Sequence, residues 1–255
     1  MDNKAGTSKG VAAVPTKDVP LACLHRIKRD ITDFNVDPPP DIFIAPAEND
    51  ITTINAIVMG AKGTPLEGGF FHFCVQFTDK YPLEPPKVRF MTTDAGRVQF
   101  NEHIYKNGSI CLSTLNTFGS TWTPAQSLSS LLVSIQSLLC DVHKFKDEAV
   151  NDRFESILQH ETIRVAVCDT VESCLRTDSP LAQTLKDGVL QKFSEFYDRY
   201  EEVVKSRMQL TGTQMHDPAR FNAGTYQFEK LLTRLQELKQ KVAKRNEAAA
   251  VKAQT

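Results

Sequence analysis

The segment from Phe100 to Leu115, FNEHIYKNGSICLSTL, places a histidine and a cysteine eight residues apart. A cysteine thiolate is a strong nucleophile and a histidine can serve as its base, as in a Cys-His hydrolase. Most free cysteines, however, are small buried hydrophobes. Ile110 and Leu112 flank Cys111, so if both anchor the segment inward, the thiol faces outward. The sequence shows no third residue to orient His103 and no glycine-rich oxyanion loop, which disfavours a hydrolase.

The composition restricts the class of protein. Of the 255 residues, 41% are hydrophobic and 24% are charged, which is typical of a soluble globular protein with a substantial core. The formal net charge of −1 gives no general attraction to nucleic acid or to acidic membranes. The N-terminus has no apolar signal segment, and no stretch approaches the ~18 apolar residues of a membrane-spanning helix. We therefore expect neither secretion, nor nucleic-acid binding, nor membrane insertion.

The cysteines indicate a reducing compartment. They are scattered, with no CxxC pair and no Cys/His cluster at zinc spacing, so no metal site is expected. We expect a cytoplasmic and nuclear protein. The six cysteines are Cys23, Cys74, Cys111, Cys140, Cys168 and Cys174.

Apolar spacing in the N-terminal part predicts a helix followed by a sheet. Helical spacing places the helix at about 18–34, and the prolines of VDPPPD end it. Short polar or glycine-containing connections suit hairpins, so the sheet should be an antiparallel meander. The prolines of KYPLEPPKV, before the fourth strand, should form a rigid excursion. The four strand signals are DIFIAP (41–46), ITTINAIVMG (51–60), GFFHFCVQF (69–77) and KVRFM (87–91).

The segment TPAQ predicts the start of a helix after the cysteine segment. Thr123 would be the N-cap, Pro124 the first helical residue, and Gln126 would close a capping box. Apolar residues at helical spacing then continue to Leu139, so the helix should be strongly amphipathic.

Three further amphipathic helices are predicted beyond about residue 152. Ser179 and Pro180 are expected to cap the second of them. Their apolar stripes must be buried against one another or against the sheet. The order helix, strands, irregular segment and helices is that of an α+β protein. We expect a disordered lead at 1–15, one domain at 16–150, a helical extension packed on it at 151–246, and a frayed tail at 247–255.

Four motifs occur in one order between about residues 20 and 145: GTPLEGGFF, YPLEPPKVRF, IYKNGSICLSTL and STWTPAQSLSSLLVSIQSLL. In all four the chain resembles the ubiquitin-conjugating enzymes, or E2 enzymes, with Cys111 at the position of their thioester-forming cysteine. HETIRVAVCDTVES, EFYDRYEEVVKSRMQL and QMHDP further resemble the long C-terminal extension of the Z-type branch of this family.

The resemblance implies a fold and a reaction. The fold is the ubiquitin-conjugating (UBC) fold, a four-stranded antiparallel meander flanked by helices, here with a helical C-terminal extension. In the reaction, Cys111 accepts ubiquitin or a ubiquitin-like protein from an activating enzyme (E1) as a thioester. The modifier then passes to a substrate amine or to a ligase (E3). We expect a monomer that needs no cofactor, because ATP is consumed by E1. The alternative is a catalytically weak E2-like scaffold that binds modifier or ligase without efficient transfer.

The resemblance also implies two docking surfaces. A charged helix face is otherwise most often only solvated, and a single exposed leucine has no meaning by itself. The E1-docking residues would be Arg26, Lys28 and Arg29, on the polar face of the first helix. The ligase-docking residues would be Leu83, Pro124 and Ala125.

One motif departs from the family. E2 enzymes normally carry His-Pro-Asn before the cysteine, and the aligned residues here are Asn101, Glu102 and His103. The family's asparagine positions the loop and stabilises the oxyanion formed when an amine attacks the thioester, and losing one such donor typically lowers the rate by about 10²–10³. His103 could donate an N–H in its place, or only hydrogen-bond the loop backbone. The acidic residue that faces the incoming lysine in this family would be Asp147.

Overall fold

The computed structural model describes residues 19–115 and 122–253, and the predicted lead at 1–15 lies outside them. Within these ranges no helix has both the length and the apolar composition needed to cross a bilayer. The α-helices are α1 (Leu21–Val36), α2 (Leu128–Cys140), α3 (Glu148–Glu161), α4 (Thr170–Leu175), α5 (Gln183–Ser206) and α6 (Phe228–Ala253). The strands are β1 (Ile42–Ala47), β2 (Asp50–Met59), β3 (Phe70–Gln76) and β4 (Lys87–Phe90). A π-helix (Thr162–Asp169) joins α3 to α4.

The four strands form the predicted meander. Their order in the sheet is β1-β2-β3-β4, and all three pairings are antiparallel. Val75 lies opposite Ile54 on one side and opposite Val88 on the other. Since side chains alternate between the faces of a strand, this register brings the apolar residues of three strands onto one face. The α+β class and the meander are confirmed.

Both faces of the sheet are buried, which is unusual for an antiparallel meander. Ile54 and Phe73 belong to a core with residues of α1 and α2. On the opposite face, Ile57 and Phe70 belong to a second core made largely by α5 and α6. Gly188 lets α5 approach β1 closely, because a Cβ there would lie 3.1 Å from the ring of Phe43. The C-terminal helices therefore complete the sheet domain.

The helices after α2 are continuous over a long stretch. α3, the π-helix and α4 follow one another without a break from residue 148 to residue 175. The predicted domain boundary at residue 150 lies inside α3. α6 continues to Ala253, beyond position 247, where the sequence predicted fraying, and residues 254–255 lie outside the described part.

The predicted start of α2 at TPAQ is wrong. Ser127 is the N-cap, and it forms a reciprocal capping box with Ser130. Thr123 and Gln126 instead close a separate turn, in which the Gln126 N–H donates to the Thr123 carbonyl at 3.0 Å. The side chain of Gln126 also accepts from the Thr123 N–H at 2.9 Å. Both candidate caps satisfy helix-type hydrogen bonds locally, so the sequence alone did not distinguish them.

The predicted cap of α5 is also displaced. α5 begins at Gln183 with Ala182 as the N-cap residue, and no side chain caps it. The Ser179 hydroxyl accepts from the Leu181 N–H at 3.5 Å, within the connection from α4. Leu181 is buried in the second core, which draws the connection inward and delays the start of the helix.

A buried ion pair joins α3 to the rest of the domain. Glu161 accepts from His160 Nδ1 at 2.8 Å and from Arg164 Nε at 3.0 Å. Arg164 also pairs with Asp94 at 2.8 Å, and His160 Nε2 accepts the Gln227 N–H just before α6. Because Nε2 is an acceptor, the ring proton is on Nδ1 and is donated to Glu161. Burial alone would raise the pKa of Glu161, but its hydrogen bonds to His160 and Arg164 outweigh burial and lower that pKa.

We predict that Glu161→Gln destabilises the fold by about 3 kcal/mol at pH 7, because the partly buried Arg164 then keeps only Asp94 as a charged partner. The folded pKa of Glu161 lies below its ordinary value of 4.5. Its stabilisation is therefore present above pH 4.5 and is lost as the pH falls through the folded pKa. Chemical denaturation from pH 7 to pH 3 should show the free energies of unfolding of wild type and variant converging toward acid.

Glu202→Gln is the matched control, since the Arg199–Glu202 pair is exposed and should contribute little. A constant difference between wild type and Glu161→Gln over the whole pH range would contradict the prediction.

Candidate active site

The segment that carries Cys111 folds into a small hairpin. Ile104 and Ile110 form an isolated antiparallel bridge, and both side chains are buried in the first core. The Cys111 N–H donates to the His103 carbonyl at 2.8 Å, so these two residues lie directly opposite one another. Since neighbouring residues of a ladder point to opposite faces, His103, Tyr105 and Cys111 share the outer face. The sequence expectation that the thiol faces away from the core agrees with this geometry.

Gly108 fixes the hairpin against the sheet. It has φ +86°, in the left-handed region, and its carbonyl accepts the Phe90 N–H at 2.9 Å. A Cβ at this position would lie 2.6 Å from the Phe90 carbonyl oxygen, so only glycine fits. The hairpin is thus held beside the end of β4.

Cys111 differs in its surroundings from the buried cysteines Cys168 and Cys174. Cys111 itself is half-buried. A negative charge on Cys111 is the largest of the effects that raise the pKa of the Tyr105 hydroxyl. Burial raises the pKa of Cys168 and of Cys174 to about 12, which makes them poor nucleophiles at neutral pH. In the described ranges no group of three His, Cys, Asp or Glu side chains is placed to hold a metal ion.

The side chain of Asn101 holds the base of the hairpin. It is buried, and its Nδ2 donates to the carbonyls of Leu138 at 3.1 Å and Asp141 at 2.8 Å. Its Oδ1 accepts the His103 N–H at 2.8 Å. Asn101 therefore satisfies carbonyls at the C-terminus of α2 and binds the strand opposite Cys111 at the same time. The sequence motif identified the position of Asn101 but gave no indication of these partners.

Glu102 and two histidines lie on the exposed side of the hairpin. Glu102 approaches His103 Nε2 at 3.7 Å and His143 Nδ1 at 3.8 Å. All three side chains are exposed, so these contacts are weak. Sequence reasoning missed His143, because it lies in the irregular connection after α2, where no period or motif marks it. Asp147, in the same connection, is the N-cap of α3 and accepts the Val150 N–H at 2.9 Å, and its predicted role toward lysine stays a prediction.

The three basic residues predicted for E1 docking do not share one environment. Arg26 donates to the carbonyls of Pro124 at 2.7 Å and Gln126 at 2.5 Å, and its Nε pairs with the buried Asp30 at 2.9 Å. Lys28 and Arg29 lie on the exposed side of α1. Arg26 is therefore committed to internal acceptors.

The three residues predicted for ligase docking lie on two loops that are held together. Leu83 is 76% exposed, and Pro124 and Ala125 are also exposed. The Trp122 indole donates to the Pro82 carbonyl at 2.8 Å, which ties the proline excursion to the turn before α2. A small exposed apolar surface results, and its role in ligase docking stays a prediction.

The chain matches known proteins over most of its length. The model of the family described as ubiquitin-conjugating enzyme matches residues 26–175. The chain belongs to the ubiquitin-conjugating enzyme family. It is 43% identical to human ubiquitin-conjugating enzyme E2 Z, over 88% of this chain and 64% of the human protein. It is 39% identical to the protein of that name from Xenopus tropicalis, over 90% of this chain and 75% of the frog protein.

The family match extends beyond the four motifs of the catalytic domain. Those four motifs end near residue 145, whereas the family match continues through α3, the π-helix and α4 to residue 175. The chain spans under two thirds of the length of the human relative. Its membership of the E2 enzymes confirms the UBC fold, and the resemblance to relatives named E2 Z includes the helical extension.

Proposed function

We propose that Cys111 carries ubiquitin or a ubiquitin-like protein as a thioester and passes it on. The placement of Cys111, half-buried on the outer face of the hairpin and at the family's thioester position, carries the proposal. In the first transfer the Cys111 thiolate attacks the carbonyl of the E1 thioester, and the E1 thiolate leaves. In the second, an amine attacks the Cys111 thioester, an amide forms, the thiolate leaves and the amine proton goes to a base. A ligase cysteine can take the place of the amine.

We assign to His103 the stabilisation of the oxyanion that forms in the second transfer. It lies directly opposite Cys111 in the ladder, with its side chain on the same outer face. Its backbone is already held by Asn101, so the ring is not needed to brace the loop. An imidazole N–H aimed at the developing oxyanion would stabilise the transition state more than the ground state.

Two surfaces are assigned to the partners. The E1 surface consists of Lys28 and Arg29, while Arg26 supports it only through the loop that it holds. The ligase surface consists of Leu83, Pro124 and Ala125. The remaining partners are the modifier and a protein substrate, with the enzyme acting as a monomer. Six free thiols suit the reducing environment of the cytoplasm and nucleus.

Incubation with E1, ATP and labelled ubiquitin should give a wild-type adduct that reductant removes. Cys111→Ser should give an oxyester adduct that survives reductant and is cleaved by hydroxide, because an oxygen replaces the sulfur. Cys111→Ala should give no adduct. Cys140→Ser, which changes the exposed cysteine at the end of α2, should load like wild type. No wild-type adduct with any E1 and modifier would favour the non-catalytic scaffold.

We expect His103→Ala to slow the discharge of preloaded thioester to free lysine by about 10²-fold, because one oxyanion donor is lost. His103→Asn, which supplies an amide N–H, should recover most of that rate. Loading by E1 should be unchanged in both variants. Equal discharge by His103→Ala and wild type would show that the ring takes no part in the transfer.

Variants of the two surfaces should affect different transfers. The double variant Lys28→Ala/Arg29→Ala should charge about tenfold more slowly, since surface charges steer association, yet discharge normally once loaded. Leu83→Ala should charge normally and lose the stimulation of discharge by a ligase that activates wild type. Loss of the same step in both variants would refute the assignment.

A further inference from the structure

A loop of the C-terminal extension forms hydrogen bonds with the backbone of Gln99, shortly before the hairpin. The Gln99 N–H donates to Asn222 Oδ1 at 3.0 Å, and Asn222 Nδ2 donates to the Gln99 carbonyl at 3.0 Å. One side-chain amide thus satisfies both backbone groups of a residue 123 positions away. Asn222 is 7% exposed and Gln99 is 8% exposed, so water does not replace this pairing easily.

A continuous series of hydrogen bonds leads from this contact to the nucleophile. The Gln99 side chain donates to the Asn101 carbonyl at 2.9 Å. Asn101 Oδ1 accepts the His103 N–H at 2.8 Å, and the His103 carbonyl accepts the Cys111 N–H at 2.8 Å. Each bond fixes the backbone of the next residue in the series. The position of the extension loop is therefore linked to the position of the Cys111 backbone.

The loop that carries Asn222 is itself fixed. Asp217 Oδ2 accepts the Asn222 N–H and Asp217 Oδ1 accepts the Ala219 N–H, both at 2.8 Å. The ring of Phe221 contacts that of Phe154 of α3 edge to face, with the centroids 6.2 Å apart. Ala219 and Phe221 both pack against the first core. These contacts therefore fix the position of the Asn222 side chain.

We propose that Asn222 is a positioning residue for the transfer reaction, through which the C-terminal extension sets the geometry of Cys111 and His103. The inference rests on the proposed function of Cys111. Without Asn222, both backbone groups of Gln99 lose their buried partner, and the base of the hairpin relaxes. Misplacing reacting groups by about 1 Å can lower a rate by up to ~10²-fold.

Asn222→Ala should still load from E1 but should discharge preloaded ubiquitin to free lysine about tenfold more slowly, since the hairpin is displaced rather than removed. The loss should be in the maximal discharge rate at saturating lysine, with the half-saturating lysine concentration unchanged. Thermal unfolding of the same samples shows whether the variant is folded.

Tyr200→Phe is the matched control. It removes one buried hydrogen bond between the extension and the sheet domain, from Tyr200 to the Gly68 carbonyl at 2.7 Å, in the β2–β3 connection. It should lower the melting temperature comparably and leave discharge within about twofold of wild type. Equal slowing by Tyr200→Phe and Asn222→Ala, or no slowing by Asn222→Ala, would overturn the inference. If Asn222→Ala does not fold, Asp217→Asn is measured in its place. This variant weakens the hydrogen bonds that hold the loop and should also slow discharge.

Two further measurements separate positioning from general destabilisation. The discharge defects of Asn222→Ala and Gln99→Ala should not multiply in the double variant, because both break the same series of bonds. Amide hydrogen exchange over residues 99–111 should be faster in Asn222→Ala than in Tyr200→Phe. Discharge defects that multiply in the double variant, or equal exchange rates in Asn222→Ala and Tyr200→Phe, would contradict the inference. Because hydrogen exchange does not depend on activity, it tests the inference independently of loading. A wild-type protein that never loads would instead refute the proposed function.

Discussion

The burial of the second face of the sheet is the constraint on which the rest of the structure depends. A meander covered on one side only would expose Ile57, Met59 and Phe70 to water, and all three are fully or almost fully buried here. Full burial of such a side chain stabilises a fold by about 1.5–3 kcal/mol. The extension is therefore held to the family domain by the largest favourable term in folding. The loop that carries Asn222 in turn packs against the first core through Ala219 and Phe221.

A second constraint lies on the opposite side of the sheet, around the buried carboxylate of Asp30. Arg26 and Tyr81 both donate hydrogen bonds to it. Burial, followed by the hydrogen bond to Asp30, raises the pKa of Tyr81, so the phenol remains protonated and keeps donating. Through Arg26 and Tyr81, α1, the proline excursion and the turn before α2 share one buried charge. These three segments are thereby fixed relative to one another.

The hairpin that carries Cys111 lies where these two parts of the fold meet. Asn101 binds it to the end of α2, and Asn222 binds the residue before it to the extension. Glu102, in place of the family's proline, leaves the hairpin without that rigid element, and hydrogen bonds from neighbouring segments fix its base instead. This arrangement explains how a departure from the family motif is compatible with an ordered site.

Much of the fold followed from the sequence because its signals are local. Alternating apolar residues predicted the four strands within a residue or two, and helical spacing predicted amphipathic helices whose apolar stripes are buried, as they are in α5 and α6. Helix starts were less certain: Thr123 and Ser127 both offer a capping geometry, and the structure starts α2 after Ser127. Asp147 carries the acidity that the family motif requires, and the sequence did not show that its carboxylate also caps α3.

The sequence by itself determined the meander and the family and predicted which cysteine is the candidate nucleophile, because periodicity, turn residues and motifs are each contained in a short stretch of chain. Only the tertiary structure decided what Asn101, Arg26 and Asn222 do. Their partners lie 37, 98 and 123 residues away along the chain. A hydrogen bond between buried groups has no periodicity and depends on where two distant backbones meet. That meeting is fixed by the packing of helices on both faces of the sheet.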